Sequence, residues 1–279
     1  GNTTYQGLTT INSGEVGVLS NTALGAVGAG TTVASGATLS ISSGVNVGAE
    51  ALSIAGTGVG DRGALRIGLF GPGVSGYAGG ITLTADASIG SAFAGSTGNF
   101  TGGINTNGNT VTFGTSFSSG STYNINTVGV SGAGNVVVDN GETVNFNAIN
   151  GYTGSTTVNN GTLSLGAPAN SNAGVSGSSL VIGDNVGAAN SAIVRKQAAQ
   201  QINNTAAVTI NSDGLYDLNG SVETIGSLAG SGNVTLGGAA LTTGGNNTDT
   251  TFSGVISEAG GITKVGTGTF LITGANTYT

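Results

Sequence analysis

The side chains that could do chemistry in this 279-residue chain are few: twelve carboxylates, five cations (Arg62, Arg66, Arg195, Lys196 and Lys264), six tyrosines, and no His or Cys. Without imidazole or thiol, the usual nucleophile–base triads and transition-metal sites have no components. What remains is carboxylate chemistry. Asp213 and Asp217 flank Gly214-Leu215-Tyr216, and Glu223 lies a few residues on. Glycoside hydrolysis needs two carboxyl groups roughly 5–10 Å apart, one of them with a raised pKa. The local pattern argues otherwise. Asp213 sits in a turn, where Asp caps its own backbone, and Asp217 is the outward, solvated residue between Tyr216 and Leu218. Asp139 and Glu142, either side of Asn140-Gly141, read as a turn for the same reason. Asp61-Arg62, in a Gly-rich loop, reads as a local ion pair at an exposed turn, contributing about 0–1 kcal/mol.

Other motifs resolve into turns. Gly71-Pro72-Gly73 lacks the Lys-Ser/Thr of a phosphate loop. The Gly-Gly-x-Gly-x-Asp spacing of calcium-binding solenoids is missing, although a calcium ion held by turn carboxylates and carbonyls stays open. The sequons Asn2-Thr3-Thr4 and Asn233-Val234-Thr235 are expected by chance in a chain this rich in Asn and Thr. No residue is therefore assigned a catalytic, cofactor-binding or metal-binding role. The chain reads as a non-enzyme that needs no cofactor.

Composition bounds the partners. Net charge is −7 and charged residues are 6% of the chain, against about 25% in an ordinary globular domain. Five scattered cations cannot displace counterions from nucleic acid or form a polybasic membrane patch. No apolar run approaches the 18 or so residues of a membrane span, so no membrane insertion is expected from this segment. Glycine is 55 of 279, yet Gly and Pro together stay below the roughly 25–30% of low-complexity disorder. With 37% hydrophobic residues there is apolar area to bury. Cohesion must come from backbone ladders and stacked small side chains rather than surface ion pairs.

The elements that would position these residues are short strands. Apolar residues come in pairs with one residue between: Val16 and Val18, Leu39 and Ile41, Leu52 and Ile54, Leu65 and Ile67, Ile81 and Leu83. The series continues through Val111 and Phe113, Tyr123 and Ile125, Val144 and Phe146, Leu163 and Leu165, Leu180 and Ile182. Val208 and Ile210, Tyr216 and Leu218, Val234 and Leu236, and Phe270 and Ile272 complete it. This is period two with Gly-, Asn- or Ser-rich turns between, hence an all-β chain. Ala188 to Ala199 departs from the texture; it reads as a coil whose strand carries two exposed cations, Arg195 and Lys196, with a single helical turn as the alternative.

A sandwich, barrel, propeller or solenoid would satisfy period two. An internal repeat favours the solenoid. Tyr5, Gly7, Thr9, Thr10, Asn12 and Gly14 recur as Tyr152, Gly154, Thr156, Thr157, Asn159 and Gly161, 147 positions on, with Ile11 matched by Val158. In the second copy Asn159-Asn160-Gly161 supplies the positive φ of a tight reversal between Thr156-Thr157-Val158 and Leu163-Ser164-Leu165. Small side chains and short runs suit coils stacked at about 4.8 Å. At roughly 20–25 residues per coil, the chain makes about 11 to 14 coils, a rod on the order of 50–70 Å.

Residues 205–279 carry a more specific signal. Lys264-Val-Gly-Thr-Gly-Thr-Phe-Leu-Ile272 is followed by Gly274-Ala-Asn-Thr-Tyr-Thr279, and the run that would come next stands at Tyr152–Leu165 and at Tyr5–Val18. A worn copy occupies 131–153, with Val138 in the place of Lys264. This closely resembles the autotransporter-associated β-strand repeat, also called the passenger-associated transport repeat. The resemblance covers most of the chain in two diverged units, about 5–151 and 152–279, of one continuous solenoid segment. It implies a right-handed parallel β-helix at the cell surface of, or secreted by, a Gram-negative-type bacterium, with a structural role as a stalk or filament-forming subunit. An autotransporter's C-terminal membrane barrel and signal segment have no counterpart here, nor is there an initiator Met, so the chain reads as a piece of something longer. Neither terminus looks like a polar cap, so the implied partner is self: continuation of a longer solenoid or head-to-tail stacking of copies. Two rival roles are an adhesin, with surface glycans as partners for its Thr/Asn ladders or for an exposed loop 68–80 carrying Phe70 and Tyr77, and, less favoured, a polysaccharide-degrading enzyme using Asp213 and Asp217.

Overall fold

The computed structural model describes residues 5–279; the Asn2-Thr3-Thr4 sequon and the first four residues of the chain's opening run lie outside the described residues. The described residues are all-β, with one short 3₁₀ turn at Val59–Asp61 and no α-helix. The strand ladders are parallel, and the chain winds as a β-solenoid, each strand lying on the equivalent strand one coil away. It divides into two compact units, Gly1–Asn145 and Phe146–Thr279.

In the first unit three ladders run side by side. Thr9–Ile11 lies on Thr31–Val33, then Leu52–Gly56, then the long strand Ile81–Ser91. Gly14–Val18 lies on Ala37–Ser42 and Leu65–Leu69, which lies on the far end of Ile81–Ser91, followed by Val111–Phe113 and Val136–Val138. The third ladder is Asn46–Val47, Val74–Tyr77, Thr97–Phe100 and Thr122–Ile125. Ile81–Ser91 serves two ladders because it continues without the corner that splits the other coils; the register shift at Ile54/Gly56 absorbs the difference.

The second unit repeats the plan. Thr156–Val158, Ser179–Ile182, Ala207–Ile210, Ser227–Gly230, Thr250–Phe252 and Phe270–Ile272 form one ladder. Gly161–Leu165, Ala192–Lys196, Gly214–Asp217, Asn233–Thr235 and Ile256–Ser257 form another. Glu223–Thr224, Ala240–Thr243 and Gly261–Lys264 form a third. Asn159-Asn160-Gly161 makes a corner rather than a hairpin, because the strands it joins pair with other coils and not with each other. Gly161 supplies the positive φ; the parallel partners decide the topology.

The period-two residues are the core. Nearly all the paired apolar positions are buried; Val16 is exposed and Phe270 and Ile272 are half-buried, since their strands have a ladder partner on one side only among the described residues. Each fully buried Val, Leu or Ile contributes about 1.5–3 kcal/mol. In the first unit Tyr123 packs between Phe100 and Phe113, with ring centroids 6.5 and 5.5 Å away. Outward polar side chains stack as well: Asn124 Nδ2 donates to Asn99 Oδ1 at 2.8 Å and Asn145 Nδ2 to Asn124 Oδ1 at 2.7 Å. These amide columns replace the ion pairs that the composition withholds.

The internal repeat is visible as a bond. Tyr5 and Thr9 hydroxyls meet at 2.6 Å, and so do Tyr152 and Thr156 at 2.5 Å. The first pair is exposed and the second buried, so their contributions differ. Tyr152→Phe, which strands the buried Thr156 hydroxyl, is expected to destabilise by about 1–2 kcal/mol, and Tyr5→Phe by less than about 0.5. Urea midpoints of the two variants check the contrast.

Candidate functional site

The stretch 213–223 places its three carboxylates in three different environments. Asp213 is buried at a corner and accepts the backbone N–H groups of Asp184 (3.2 Å) and Asn185 (2.8 Å), so it caps the corner one coil back and not its own backbone. Asp217 points outward, as the alternation requires, where it takes Arg195 Nε at 2.7 Å, Asn219 N–H at 2.9 Å and Thr235 Oγ1 at 3.1 Å. Glu223 faces inward. Its carboxylate receives Lys196 Nζ at 2.8 Å and the backbone N–H groups of Gln201, Ile202 and Thr224.

Lys196 is the largest departure from the sequence expectation. It is 0% exposed, because parity in Ala192-Ile193-Val194-Arg195-Lys196 turns Arg195 out and Lys196 in. Besides Glu223, its ammonium donates to Ser221 O (2.8 Å) and Val222 O (2.6 Å). Burial lowers its pKa from the ordinary lysine value, while the charge and hydrogen bond of Glu223 oppose that shift. Nor does 188–199 form a helical turn; the strand is Ala192–Lys196.

Tyr77 is a second correction. It is 1% exposed, buried in the core beside Glu50, while Phe70, at 76%, is exposed as expected. In Val74–Tyr77 it is Ser75 and Tyr77 that face inward and Val74 that faces out. The loop 68–80 therefore presents one aromatic ring to solvent, not two.

Asp61 and Arg62 do not pair with each other. Arg62 reaches Glu15 at 3.0 Å, joined there by Arg66 at 2.8 Å and by the Ser40 hydroxyl at 2.5 Å. Partial burial raises the pKa of Glu15, but the bonds from Ser40 and Arg66 and the nearby positive charge outweigh it and hold the carboxyl below its usual value. Both guanidinium groups lie over Phe117, 4.9 and 4.6 Å from the ring centroid. Asp61 instead accepts the backbone N–H (3.0 Å) and the hydroxyl of Ser116.

These contacts wall the candidate site of the first unit, an open cleft of about 310 Å³. Its floor is the outer face of neighbouring strands at Ser88, Thr112 and Gly114. Asp61 forms one wall, Thr115 and Ser116 another, and the corner Asp139-Asn140 the third. Asn140, at φ +57°, donates through Nδ2 to Thr115 O and Ser118 O. Every side chain lining the cleft carries a carboxylate, amide or hydroxyl group.

Behind Gly114 stands a group that the turn reading misplaced. Asp139-Asn140-Gly141 is a turn, but Glu142 begins the strand Glu142–Phe146 and is fully buried. One carboxyl oxygen accepts Ser121 N–H at 2.5 Å, and the other has no hydrogen-bond partner. Burial raises Glu142 to about 7, against the opposing bond from Ser121 N–H. The sequence signal was the alternation Glu142-Val144-Phe146, which puts Glu142 on the inward face.

Among the described residues no group of three or more His, Cys, Asp or Glu is placed to hold a metal ion, and no helix is long and apolar enough to cross a membrane. Gly71-Pro72-Gly73 forms the outer turn after Leu65–Leu69, as expected, with Gly71 O accepting the Ser43 hydroxyl at 2.5 Å. No family model, curated protein or solved structure matches this chain.

Proposed function

We propose that this β-solenoid is a structural segment of the autotransporter-associated β-strand repeat class, carried outside the cell by a Gram-negative-type bacterium, where it extends a stalk or assembles into a filament. The observation that carries the reading is how the ionisable side chains are used. Glu15, Arg62, Arg66, Arg195, Lys196, Asp213, Asp217 and Glu223 all bond to neighbouring coils or corners. Such a molecule gains rigidity from its polar groups and has no need of a cofactor or a reaction. The hallmark run Lys264–Thr279 and the twice-built Tyr–Thr bond support the family assignment. The partner is more of the same chain: among the described residues Phe270–Ile272 and Gly261–Lys264 each have a ladder partner on one side, and a further coil, from continuing polypeptide or a second copy, would pair with the other.

Negative-stain micrographs of the purified chain are expected to show rods or end-to-end fibres, with fibres indicating assembly between copies and discrete rods a stalk. Globular or irregular particles would defeat the structural reading. An adhesin is the second reading, favoured by the all-polar cleft and by the exposed Phe70 ring. It predicts hits on a glycan array that weaken at least about tenfold in Phe70→Ala or Asp139→Asn, and an array without hits counts against it.

A further inference from the structure

The loop 115–121 crosses the edge of the polar cleft and is held from two sides. On its outer side Ser116 is bonded to Asp61, and Phe117 lies under Arg62 and Arg66. On its inner side Asn140 Nδ2 grips Thr115 O and Ser118 O, while Glu142 grips Ser121 N–H. The Ser121 hydroxyl adds bonds to Ser91 Oγ (2.9 Å) and Phe93 O (3.1 Å). Between Thr115 and Ser118 the chain doubles back on itself in an isolated antiparallel bridge.

Of these holders, only Glu142 is a fully buried carboxyl without a cation. The contrast with Glu223, which has Lys196, is internal to the protein. Tyr123, on the strand Thr122–Ile125, is fully buried, and burial together with the charge of Glu142 keeps its hydroxyl protonated. Asp139 lies at the other end of the same corner, with its carboxylate at Asn140 N–H, 2.7 Å away. Asp61, Arg62 and Arg66 are engaged on the loop's outer side. Among the described residues no positive charge therefore neutralises an ionised Glu142, and a bare carboxylate in that position must find water. The strand ladders on either side are continuous, so the loop is the covering element that yields most easily.

We propose that loop 115–121 is a strap, closed on the cleft while Glu142 is protonated and loosened when Glu142 ionises. The sign follows from linkage. The closed form holds the Glu142 proton up to about pH 7, whereas a hydrated glutamate releases it near its ordinary value of about 4.3. Closure is therefore strongest at acid pH, and its advantage is lost as pH rises through neutrality. The cleft is then most accessible in mildly alkaline medium.

Amide hydrogen exchange on the intact protein tests this. Between pH 6 and 8.5 the amides of Ser116 and Ser121 are expected to gain about tenfold in exchange beyond the intrinsic base-catalysed increase. The ladder amides of Gly114 and Thr122, bonded to Ile89 O and Ser96 O, should show no such gain. In Glu142→Gln, which keeps an acceptor for Ser121 N–H but cannot ionise, the extra gain should vanish. Three results would overturn the strap: no extra gain in the wild type, the same gain in Glu142→Gln, or a gain shared by Gly114 and Thr122. Because the first and third are read from the wild type alone, the test stands even if the variant folds poorly.

Discussion

Lys196→Met is expected to lower stability by about 3–5 kcal/mol, whereas Arg195→Ala, one residue away, should cost no more than about 1. The two cations are adjacent in sequence and each has a carboxylate partner, Asp217 for Arg195 and Glu223 for Lys196. The difference is burial. Arg195 is half-exposed and water screens its pair, so its loss is largely made good by solvent. Both members of the Lys196 pair are out of water. Removing the ammonium leaves a buried carboxylate attended only by three backbone N–H groups, and strands Ser221 O and Val222 O. Lys196→Met combined with Glu223→Gln should cost less than the sum of the two single changes, with a coupling of about 2 kcal/mol or more. Urea titrations followed by far-UV circular dichroism measure all four proteins. Near-equal effects of Lys196→Met and Arg195→Ala would show that the inward cation is solvated.

An equally large loss is expected from adding a single methyl group at a coil corner. Gly232, Gly254 and Gly274 follow one another at corresponding corners of the second unit, 22 and 20 residues apart. A Cβ on Gly254 would fall on Gly232 O, and one on Gly274 would fall on Gly254 O. In both cases the obstacle is backbone of the neighbouring coil, so no side chain can swing aside. Gly254→Ala should therefore destabilise by more than about 3 kcal/mol, beyond the 1–3 typical of an overpacked core. Gly261→Ala is the control. It has no atom within 4 Å of the added methyl and an ordinary φ, so it should be neutral or stabilise by about 0.4–1 kcal/mol through the unfolded chain. Thermal melts of the two alanine variants separate them, and a Gly254→Ala protein melting with the wild type would mean that the coils sit further apart.

Alternation in the sequence was enough to place the core and the all-β class, and the internal repeat pointed to coiling. Alternation placed most apolar pairs because a period of two admits only two faces, and the apolar one goes in. Most inward positions that the sequence reading missed hold a charge, Tyr77 apart. Lys196 two places after Val194, Glu142 two before Val144, Glu50 two before Leu52 and Glu223 two before Ile225 all obey the alternation. Ranking residue type above position sent Lys196 outward and left Glu142 in a turn. Arg66 shows the converse: it does lie between inward Leu65 and Ile67, but Phe117, fifty-one residues later, covers it. No local pattern carries that contact. The cleft was illegible for the same reason, since its walls come from residues 61, 115–116 and 139–140, brought together only by the coiling. Asn-Gly turns were found by residue type, but whether such a turn makes a hairpin or a corner depends on which strands are free to pair, and that is decided a coil away.

The short distance along the chain between ladder partners reaches beyond the finished structure. Thr251 pairs with Leu271, 20 positions on, and Val181 with Thr209, 28 positions on. No strand has to wait for a distant part of the polypeptide before it finds its neighbour. Each new coil can be laid on the last as soon as some two dozen residues emerge, with the existing edge as template, so the search is local although every contact is β. A chain built in this way can acquire its structure progressively from one end while the remainder is still threaded through a pore or ribosome.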